Sequence, residues 1–208
     1  MAIGKADPRL TLSRPAAVLM ITAVTFVVLT AAIWLFGTVT LDRQVFDAIS
    51  ALATPGVVSA LKVVNYAGEK LVLIPAMVVL YAVFPRARRR WWIWAALMLA
   101  APTAEGLVKL MVGRARPMGE GFAFPSGHAT AAAAYFGALF YVAGSISAPA
   151  LRVGIRAMAL AAIVLVALAR IVLRAHWPSD VLAGSALGLA LASAAALAAS
   201  AQVRAADG

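Results

Sequence analysis

The chain contains 208 residues, of which 64% are hydrophobic and 12% charged, and its mean hydropathy is +0.95. Soluble domains are about half apolar and about a quarter charged, so this composition excludes a water-soluble globular protein and predicts an integral membrane protein. A formal charge of +10 would indicate nucleic acid as a partner of a soluble protein. In a membrane protein, cytoplasmic anchoring charges and an anionic substrate explain this charge better, so no nucleic-acid partner is expected. Without cysteine, disulfides and thiolate metal sites are excluded, and two histidines are too few for a multi-histidine metal cage.

The first apolar run, residues 15–37, follows a short basic segment and resembles the start of a secretory signal. Because the run is longer than the apolar core of a signal peptide and no small-residue cleavage site follows, we expect a retained transmembrane helix. Five further apolar runs are expected to cross the membrane: 70–84, 91–108, 128–144, 158–173 and 178–199. The sequence therefore predicts an all-α bundle of six transmembrane helices. We expect one membrane-embedded domain over 1–208, with cytoplasmic segments at 1–14 and 200–208.

Between the first two predicted spans, apolar residues recur at spacings of three to five, with an interruption at Pro55-Gly56. They are Phe46, Ile49, Leu52, Val57, Leu61 and Val64. This pattern predicts two short amphipathic helices that lie on the membrane surface. Residues 45–66 would then form a lid or lipid entrance, or else a simple connector.

Basic residues flank one end of the six predicted spans. They are Lys5, Arg9, Arg14, Arg86, Arg88, Arg89, Arg90, Arg152, Arg156 and Arg204. The positive-inside rule makes this end cytoplasmic, so both termini are expected inside the cell. The small residues Gly184 and Gly188 in the last span predict close packing between helices.

A second polar group lies at the opposite, outer end of the predicted bundle. Lys109, Arg114 and Arg116 close the third span, Ser126, Gly127 and His128 open the fourth, and Arg170, Arg174, His176 and Asp180 surround the turn between the last two. Basic residues on the outer face oppose the topology rule. Arg170 also lies within an apolar run, where a charge costs about 2.5 to 3.5 kcal/mol. This cost predicts a functional site.

The chemistry that fits these residues is phosphoryl transfer. Guanidinium and ammonium groups bind phosphate oxygens and neutralise charge in the transition state. Ser126 is expected to cap the helix that starts there, and Gly127 to allow close approach of the backbone. One histidine would attack phosphorus and the other would protonate the leaving oxygen. Asp180, four residues after His176, would reach back to the imidazole and fix its tautomer.

Each of these residues alone has a simpler explanation, as an interfacial anchor or a helix cap, but their combination from three segments favours a site. The combination resembles the type-2 phosphatidic-acid phosphatase family of membrane lipid phosphatases, which are relatives of the vanadium haloperoxidases. The family motif Lys-x6-Arg-Pro matches Lys109 to Arg116-Pro117, Pro-Ser-Gly-His matches 125–128, and Ser-Arg-x5-His-x3-Asp matches from Arg170 to Asp180. Ala169 replaces the usual serine, and Arg174 stands where a small residue is common. The motifs span 109–180, and the six-span layout extends the resemblance to most of the chain.

The resemblance implies a role for each matching residue. His176 would be the nucleophile that forms a phosphohistidine, Asp180 its orienting partner, and His128 the acid for the leaving group. The phosphate would be held by Lys109, Arg116, Ser126, Gly127 and Arg170. Arg114 and Arg174 are not motif positions but lie beside these cations, where they would contact either a second phosphate or lipid headgroups. Glu105, one turn before Lys109, would pair with it rather than act in catalysis.

The two added cations favour an isoprenyl diphosphate such as undecaprenyl diphosphate as the substrate. Phosphatidylglycerol phosphate, phosphatidate and a lipid A phosphate also fit a pocket at the membrane surface. The expected location is a bacterial-type inner (plasma) membrane, with the site on its outer face. No metal or other cofactor is implied, because three cationic side chains can do the electrostatic work that Mg²⁺ does in kinases.

An anion-binding membrane transporter is the alternative from a different class. A transporter would need polar groups that continue towards the cytoplasm, whereas the spans beyond the cluster are nearly pure Ala, Leu, Val and Ile. The only other buried polar candidates, Asn65, Glu69 and Glu105, also lie towards the outer half. A catalytically silent lipid-binding scaffold is disfavoured because every acid, base and nucleophile position is filled.

Overall fold

The computed structural model describes residues 14–37 and 40–206, so Lys5 and Arg9 of the predicted cytoplasmic segment lie outside the described residues. The described chain is all-helical, as predicted, and contains no β-strand beyond one isolated bridge between Ala115 and Phe122. Its α-helices are α1 (Arg14–Phe36), α2 (Thr40–Ser50), α3 (Pro55–Asn65), α4 (Lys70–Val83), α5 (Pro85–Arg88), α6 (Trp91–Val112), α7 (Gly127–Val142), α8 (Pro149–Val172) and α9 (Pro178–Ala206). Short 3₁₀ turns follow α3 and α7.

Four helices in this part of the chain are long and apolar enough to cross a membrane: α1, α6, α8 and α9. The chain from α2 to the 3₁₀ turn after α3 would count as a fifth span, although it bends by 111° at its break. Length and composition therefore support four or five spans rather than the six predicted. The difference arises because α4 has 14 residues and α7 has 16, fewer than the roughly 20 that a crossing needs.

Several helices extend beyond the apolar runs that predicted them. Helix α6 continues past residue 108 to Val112, so Lys109 lies on its last turns. Helix α8 begins at Pro149 rather than near 158, because proline suits a first helical turn and the half-buried basic residues that follow, Arg152 and Arg156, do not interrupt a helix. Helix α9 continues past 199 to Ala206. Hydropathy locates the apolar part of a helix, not its ends.

Helix α7 lies at the centre of the bundle and is buried along most of its length. It packs against α6, α8 and α9, and α1 covers the other side of α9. A Cβ atom on Gly184 would lie 2.5 Å from the Ser126 carbonyl oxygen, and one on Gly188 would lie 2.4 Å from that of Thr130. Any larger residue would therefore clash with the backbone of α7. The predicted close packing through Gly184 and Gly188 is confirmed.

Helices α2 and α3 occupy the segment for which two amphipathic helices were predicted. Their position relative to a membrane surface stays a prediction. Helix α2 begins at Thr40, before the predicted start at 45, and this places Asp42 in its first turn. The Phe46 ring packs against Trp177 with a centroid distance of 5.1 Å, and α3 packs along α8. Both helices therefore contact the part of the bundle that carries the third motif.

Candidate active site

The structure brings the three motif segments together at one end of the bundle. The backbone N–H of Ser126, which precedes α7, donates a hydrogen bond to the carbonyl oxygen of Asp180 in the first turn of α9, at 2.9 Å. Lys109 near the end of α6 and Arg170 near the end of α8 both lie close enough to His176 for their charges to act on it. Residues far apart in sequence thus share one small volume.

His176 lies in the turn between α8 and α9 and is only 1% exposed. Its Nδ1 faces Asp180 Oδ2 at 3.6 Å, which is too long for a hydrogen bond. The predicted bond between these groups is therefore not formed. Asp180 Oδ2 accepts a hydrogen bond from the backbone N–H of Trp177 at 2.8 Å. The carboxylate still lies on the Nδ1 side of the ring, so Nε2 is the nitrogen left for chemistry.

The surroundings of His176 favour a neutral ring. Burial is the main cause that lowers the pKa of His176, and the positive charges of Arg170 and Lys109 act in the same direction. The Asp180 carboxylate opposes them by stabilising the charged ring. The net effect is a pKa below the ordinary value of histidine, and a neutral imidazole has the free electron pair that a nucleophile requires.

Arg114 has a different environment from the one expected. It is buried, and its Nη1 donates to Asp180 Oδ1 at 2.6 Å and to Ser179 Oγ at 2.7 Å. Its Nη2 forms an ion pair with Asp42. The guanidinium also lies over the Trp177 ring, 5.6 Å from the centroid. These contacts correct the expectation that Arg114 binds a second phosphate, because the guanidinium faces the protein interior.

Asp42 is a site residue that sequence reasoning missed. It is 4% exposed and accepts hydrogen bonds from the backbone N–H of Ser179 at 2.9 Å and from the Ser179 hydroxyl at 2.6 Å. Together with Arg114 and Asp180 it forms a buried network of two carboxylates and one guanidinium. No motif marks Asp42. The only signal in the sequence is an acidic residue just after the first span, where the pattern predicts a surface helix.

Two further groups missing from the motifs are Asn65, at the end of α3, and Glu69, just before α4. Arg170 Nη1 donates to the side-chain oxygen of Asn65 at 2.8 Å, and His128 Nε2 lies 2.8 Å from Glu69 Oε1. Because a carboxylate only accepts, the ring nitrogen is the donor in this pair. The sequence identified Asn65 and Glu69 only as buried polar candidates in the outer half, with Glu69 expected to snorkel to the membrane interface. The structure makes each the partner of a motif residue.

Lys109 pairs with Glu105 one helical turn before it, as expected. A Cβ atom on Gly127 would lie 2.9 Å from Glu105 Oε1, so this carboxylate faces the start of α7. Arg116 lies in the loop after α6, where its Nε donates a long hydrogen bond of 3.4 Å to the Phe122 carbonyl oxygen. The Lys109 ammonium is therefore neutralised in part, whereas Arg116 has no acidic partner among the described residues.

Ser126 is fully buried at the N-cap position of α7, but its side chain makes no capping hydrogen bond. This corrects the expected cap. The backbone carbonyl of Ser126 accepts a hydrogen bond from Thr130 instead, and the Ser126 hydroxyl has no protein partner among the described residues.

The two positions that depart from the family motif lie in different environments. Ala169, in place of the motif serine, is fully buried. Arg174 is exposed at the rim, with a positive φ of 55° and its Nη1 3.9 Å from Met118 Sδ.

The site combines three cations, a buried imidazole and a second histidine paired with a carboxylate. Within the described residues, no group of three or more His, Cys, Asp or Glu side chains is placed to hold a metal ion. The first turn of α7 also presents backbone N–H groups that a helix does not use internally. Such a set of donors is suited to a phosphate group.

Comparison with known proteins agrees with this description. Residues 113–204 match the PAP2 superfamily. A transmembrane PAP2-type phosphatidylglycerolphosphate phosphatase from Bacillus subtilis has a similar structure, with a TM-score of 0.71, 24% sequence identity and coverage of 88% of this chain and 94% of that chain. LpxE from Aquifex aeolicus is also similar, with a TM-score of 0.61, 18% identity and coverage of 78% and 98%. No curated protein sequence matches the chain at a significant level.

Proposed function

We propose that this chain, which matches the PAP2 superfamily over residues 113–204 and has the fold of PAP2-type phosphatases, is a membrane lipid phosphatase that acts through His176. The observation that carries the proposal is the burial of His176 between Asp180 and the charges of Lys109 and Arg170. The family match and the phosphatase fold together indicate a hydrolase. The remaining steps follow from the chemistry of the site.

The phosphate group would be bound first, by charge. Lys109, Arg116 and Arg170 approach from three different segments, so they can contact different oxygens of one phosphate. Gly127 and the N–H groups of the first turn of α7 would add donors aligned with the helix dipole. These groups would stabilise the charge that develops on the phosphoryl oxygens in the transition state.

Covalent transfer would then proceed in two steps. The electron pair on His176 Nε2 attacks phosphorus while the bond from phosphorus to the lipid oxygen breaks, and His128 donates a proton to that leaving oxygen. This gives a phosphohistidine and a free lipid alcohol. In the second step His128 takes a proton from water, the water oxygen attacks phosphorus, and inorganic phosphate leaves His176. Asp180 stabilises the charged imidazole that exists when the ring carries phosphate.

An apolar groove beside the site supports a lipid as the substrate. Its volume is about 510 Å³, and α4 and α6 form its walls with residues such as Leu73, Met77 and Met98. The groove starts at Lys70, which follows the Glu69 that bonds His128, and extends to Tyr81 and Trp91. At 1.5 Å per residue, Lys70 to Tyr81 spans about 16 Å, enough for a long part of an acyl or isoprenyl chain. We infer that the lipid tail lies there.

The inward position of Arg114 favours a lipid phosphate monoester. Phosphatidylglycerol phosphate, the substrate class in the name of the Bacillus subtilis protein, is our first candidate. An isoprenyl diphosphate such as undecaprenyl diphosphate is the second, because the exposed Arg174 at the rim can still contact an outer phosphate. Phosphatidate and a lipid A phosphate need only the same phosphate contacts.

The experiment is an assay of phosphate release by the purified protein on these four lipids, with wild type and Arg174→Ala compared. If the monoester assignment is correct, wild type prefers phosphatidylglycerol phosphate and Arg174→Ala loses little activity on it. A wild-type preference for undecaprenyl diphosphate, with a loss in Arg174→Ala confined to that lipid, would replace the first candidate by the second. His176→Ala is the inactive reference. Activity unchanged in EDTA is expected, because no step needs a metal ion.

The proposal also includes six spans, with α4 and α7 crossing the membrane inside the bundle and the site at the outer face. Burial supports a short α7, since a helix enclosed by protein need not match the full bilayer thickness. A transporter is a weaker explanation. Beyond the site the centre of the bundle is filled by fully buried small residues of α7, such as Ala132, Ala133 and Ala134.

A further inference from the structure

A cavity of about 610 Å³ lies at the end of the bundle opposite the candidate active site. Its wall includes the start of α1, Arg86 of α5 and the two arginines that follow α5, the start of α6, and the far ends of α7 and α9. Tyr141, which lines the cavity, is 13 residues after His128 on α7, so the cavity lies about 20 Å from the candidate site at 1.5 Å per residue. The two sites are therefore separate.

The cavity is strongly cationic. Arg86, Arg89 and Arg90 line it, and none of the acidic residues that the structure describes does. A fourth guanidinium adjoins it, because Arg156 Nη2 lies 3.0 Å from the place that a Cβ atom on Gly144 would take. The acidic side chains in the described part of the chain belong to other segments; they are Asp42, Asp47, Glu69, Glu105, Glu120 and Asp180. Arg86, Arg89 and Arg90 form no ion pair with any of them.

The polar hydroxyls of the wall are already used. Ser145 Oγ donates to the Val142 carbonyl oxygen at 2.8 Å, and Ser200 Oγ donates to that of Ala196 at 2.8 Å. The donors that could bind a ligand in this cavity are therefore the guanidinium groups, each of which can donate two parallel hydrogen bonds to the oxygens of one phosphate. The rest of the wall is apolar and includes Trp94, so the cavity suits an anion attached to an apolar body better than a free ion.

We propose that this cavity binds the phosphate headgroup of an anionic phospholipid from the leaflet at that end of the protein, separately from any substrate. Basic pockets between transmembrane helices on the cytoplasmic side are suited to such headgroups. Trp91 and Trp92 are exposed beside Arg90, as expected at the level of lipid headgroups. The cavity would hold one lipid in place against α1, α6, α7 and α9.

Native mass spectrometry of the full-length protein in detergent tests this proposal, with phosphatidylglycerol and phosphatidylcholine as probes. Wild type should retain one phosphatidylglycerol under conditions that remove phosphatidylcholine. Arg86→Gln and Arg90→Gln should each weaken that binding by about fivefold, the effect of one basic residue near a charged lipid. Arg88→Gln is the matched control, because Arg88 belongs to the same basic run but does not line the cavity.

Two results would overturn the proposal. Equal losses in Arg86→Gln, Arg88→Gln and Arg90→Gln would mean diffuse attraction to a basic surface rather than a site. Displacement of phosphatidylglycerol by millimolar inorganic phosphate would mean that a free anion is the ligand. Circular dichroism and phosphate release by each variant check folding independently, since these arginines lie far from the candidate active site.

Discussion

The guanidinium of Arg114 donates a 2.6 Å hydrogen bond to Asp180, the carboxylate that faces the candidate nucleophile. The same guanidinium is paired with Asp42 on α2. A helix outside all three motifs is thus connected to the carboxylate that faces His176. Because the members of this network are buried, removal of one leaves the others without their partners at low dielectric.

The first prediction concerns Asp42. In Asp42→Asn the buried charge of Arg114 is balanced by Asp180 alone, and Asp180 is drawn away from His176. We expect kcat to fall about tenfold and the free energy of unfolding by about 1 to 3 kcal/mol. Asp47→Asn is the matched control, because Asp47 is an exposed acid on the same helix. Phosphate release and thermal unfolding in detergent measure both effects, and equal behaviour of the two variants would contradict the role of the network.

The second prediction concerns Glu69, which accepts a hydrogen bond from His128. The carboxylate stabilises the protonated ring that serves as general acid, and Gln removes the charge while keeping the size. Glu69→Gln should therefore slow hydrolysis of lipid phosphates, whose alcohol leaves poorly, by about tenfold or more. It should slow p-nitrophenyl phosphate much less, because that leaving group needs no acid. Glu120→Gln, in an exposed loop, is the control; equal losses on both substrates would reduce Glu69 to a structural role.

The third prediction follows from the lowered pKa of His176. The attacking ring must be neutral, so the acid limb of kcat/KM that belongs to His176 lies below its ordinary pKa of 6.5. In Lys109→Gln one charge that lowers this pKa is lost, the pKa rises, and the limb moves to higher pH. The ionisation of the substrate is common to both proteins and cancels in the comparison. Lys62→Gln, which changes an exposed cation on α3, is the control; a limb that moves to lower pH in Lys109→Gln would refute the assignment.

The fourth prediction concerns orientation. Since the chain has no cysteine, a single one can be introduced at either end without background labelling. Arg88→Cys should be shielded from a membrane-impermeant thiol reagent in intact cells, and Glu120→Cys should react. Both residues are exposed on the protein surface, so a difference in labelling would report the side of the membrane and not burial within the protein. The opposite labelling pattern would place the site on the cytoplasmic face.

The sequence predicted the part of the site that depends on spacing. Lys109, His128 and His176 each lie within a few residues of a helix end, and helix ends on one side of a bundle necessarily meet. Hydropathy and the basic flanks were sufficient to place them together. The same information located the close α7–α9 packing at Gly184 and Gly188, because only small residues allow it.

The rest of the site could not be predicted, because it depends on contacts between distant residues that leave no pattern in the sequence. Arg114 and Arg116 are two residues apart in one loop, yet Arg114 faces the interior and Arg116 does not. Asp42, Asn65 and Glu69 reach the site only because α2 and α3 fold back against α8 and the start of α9. The six predicted spans are not confirmed because hydropathy detects apolar runs rather than helix lengths, and the runs at α4 and α7 form helices of only 14 and 16 residues.

The central claim is that phosphate is transferred to His176. The most direct measurement is rapid acid-free quenching of the purified enzyme with ³²P-labelled lipid phosphate, followed by peptide mass spectrometry. We predict one acid-labile, base-stable phosphate on His176, no label in His176→Ala, and slower labelling in His128→Ala. Phosphate release by His176→Ala at the wild-type rate, or label at any other residue, would contradict the account.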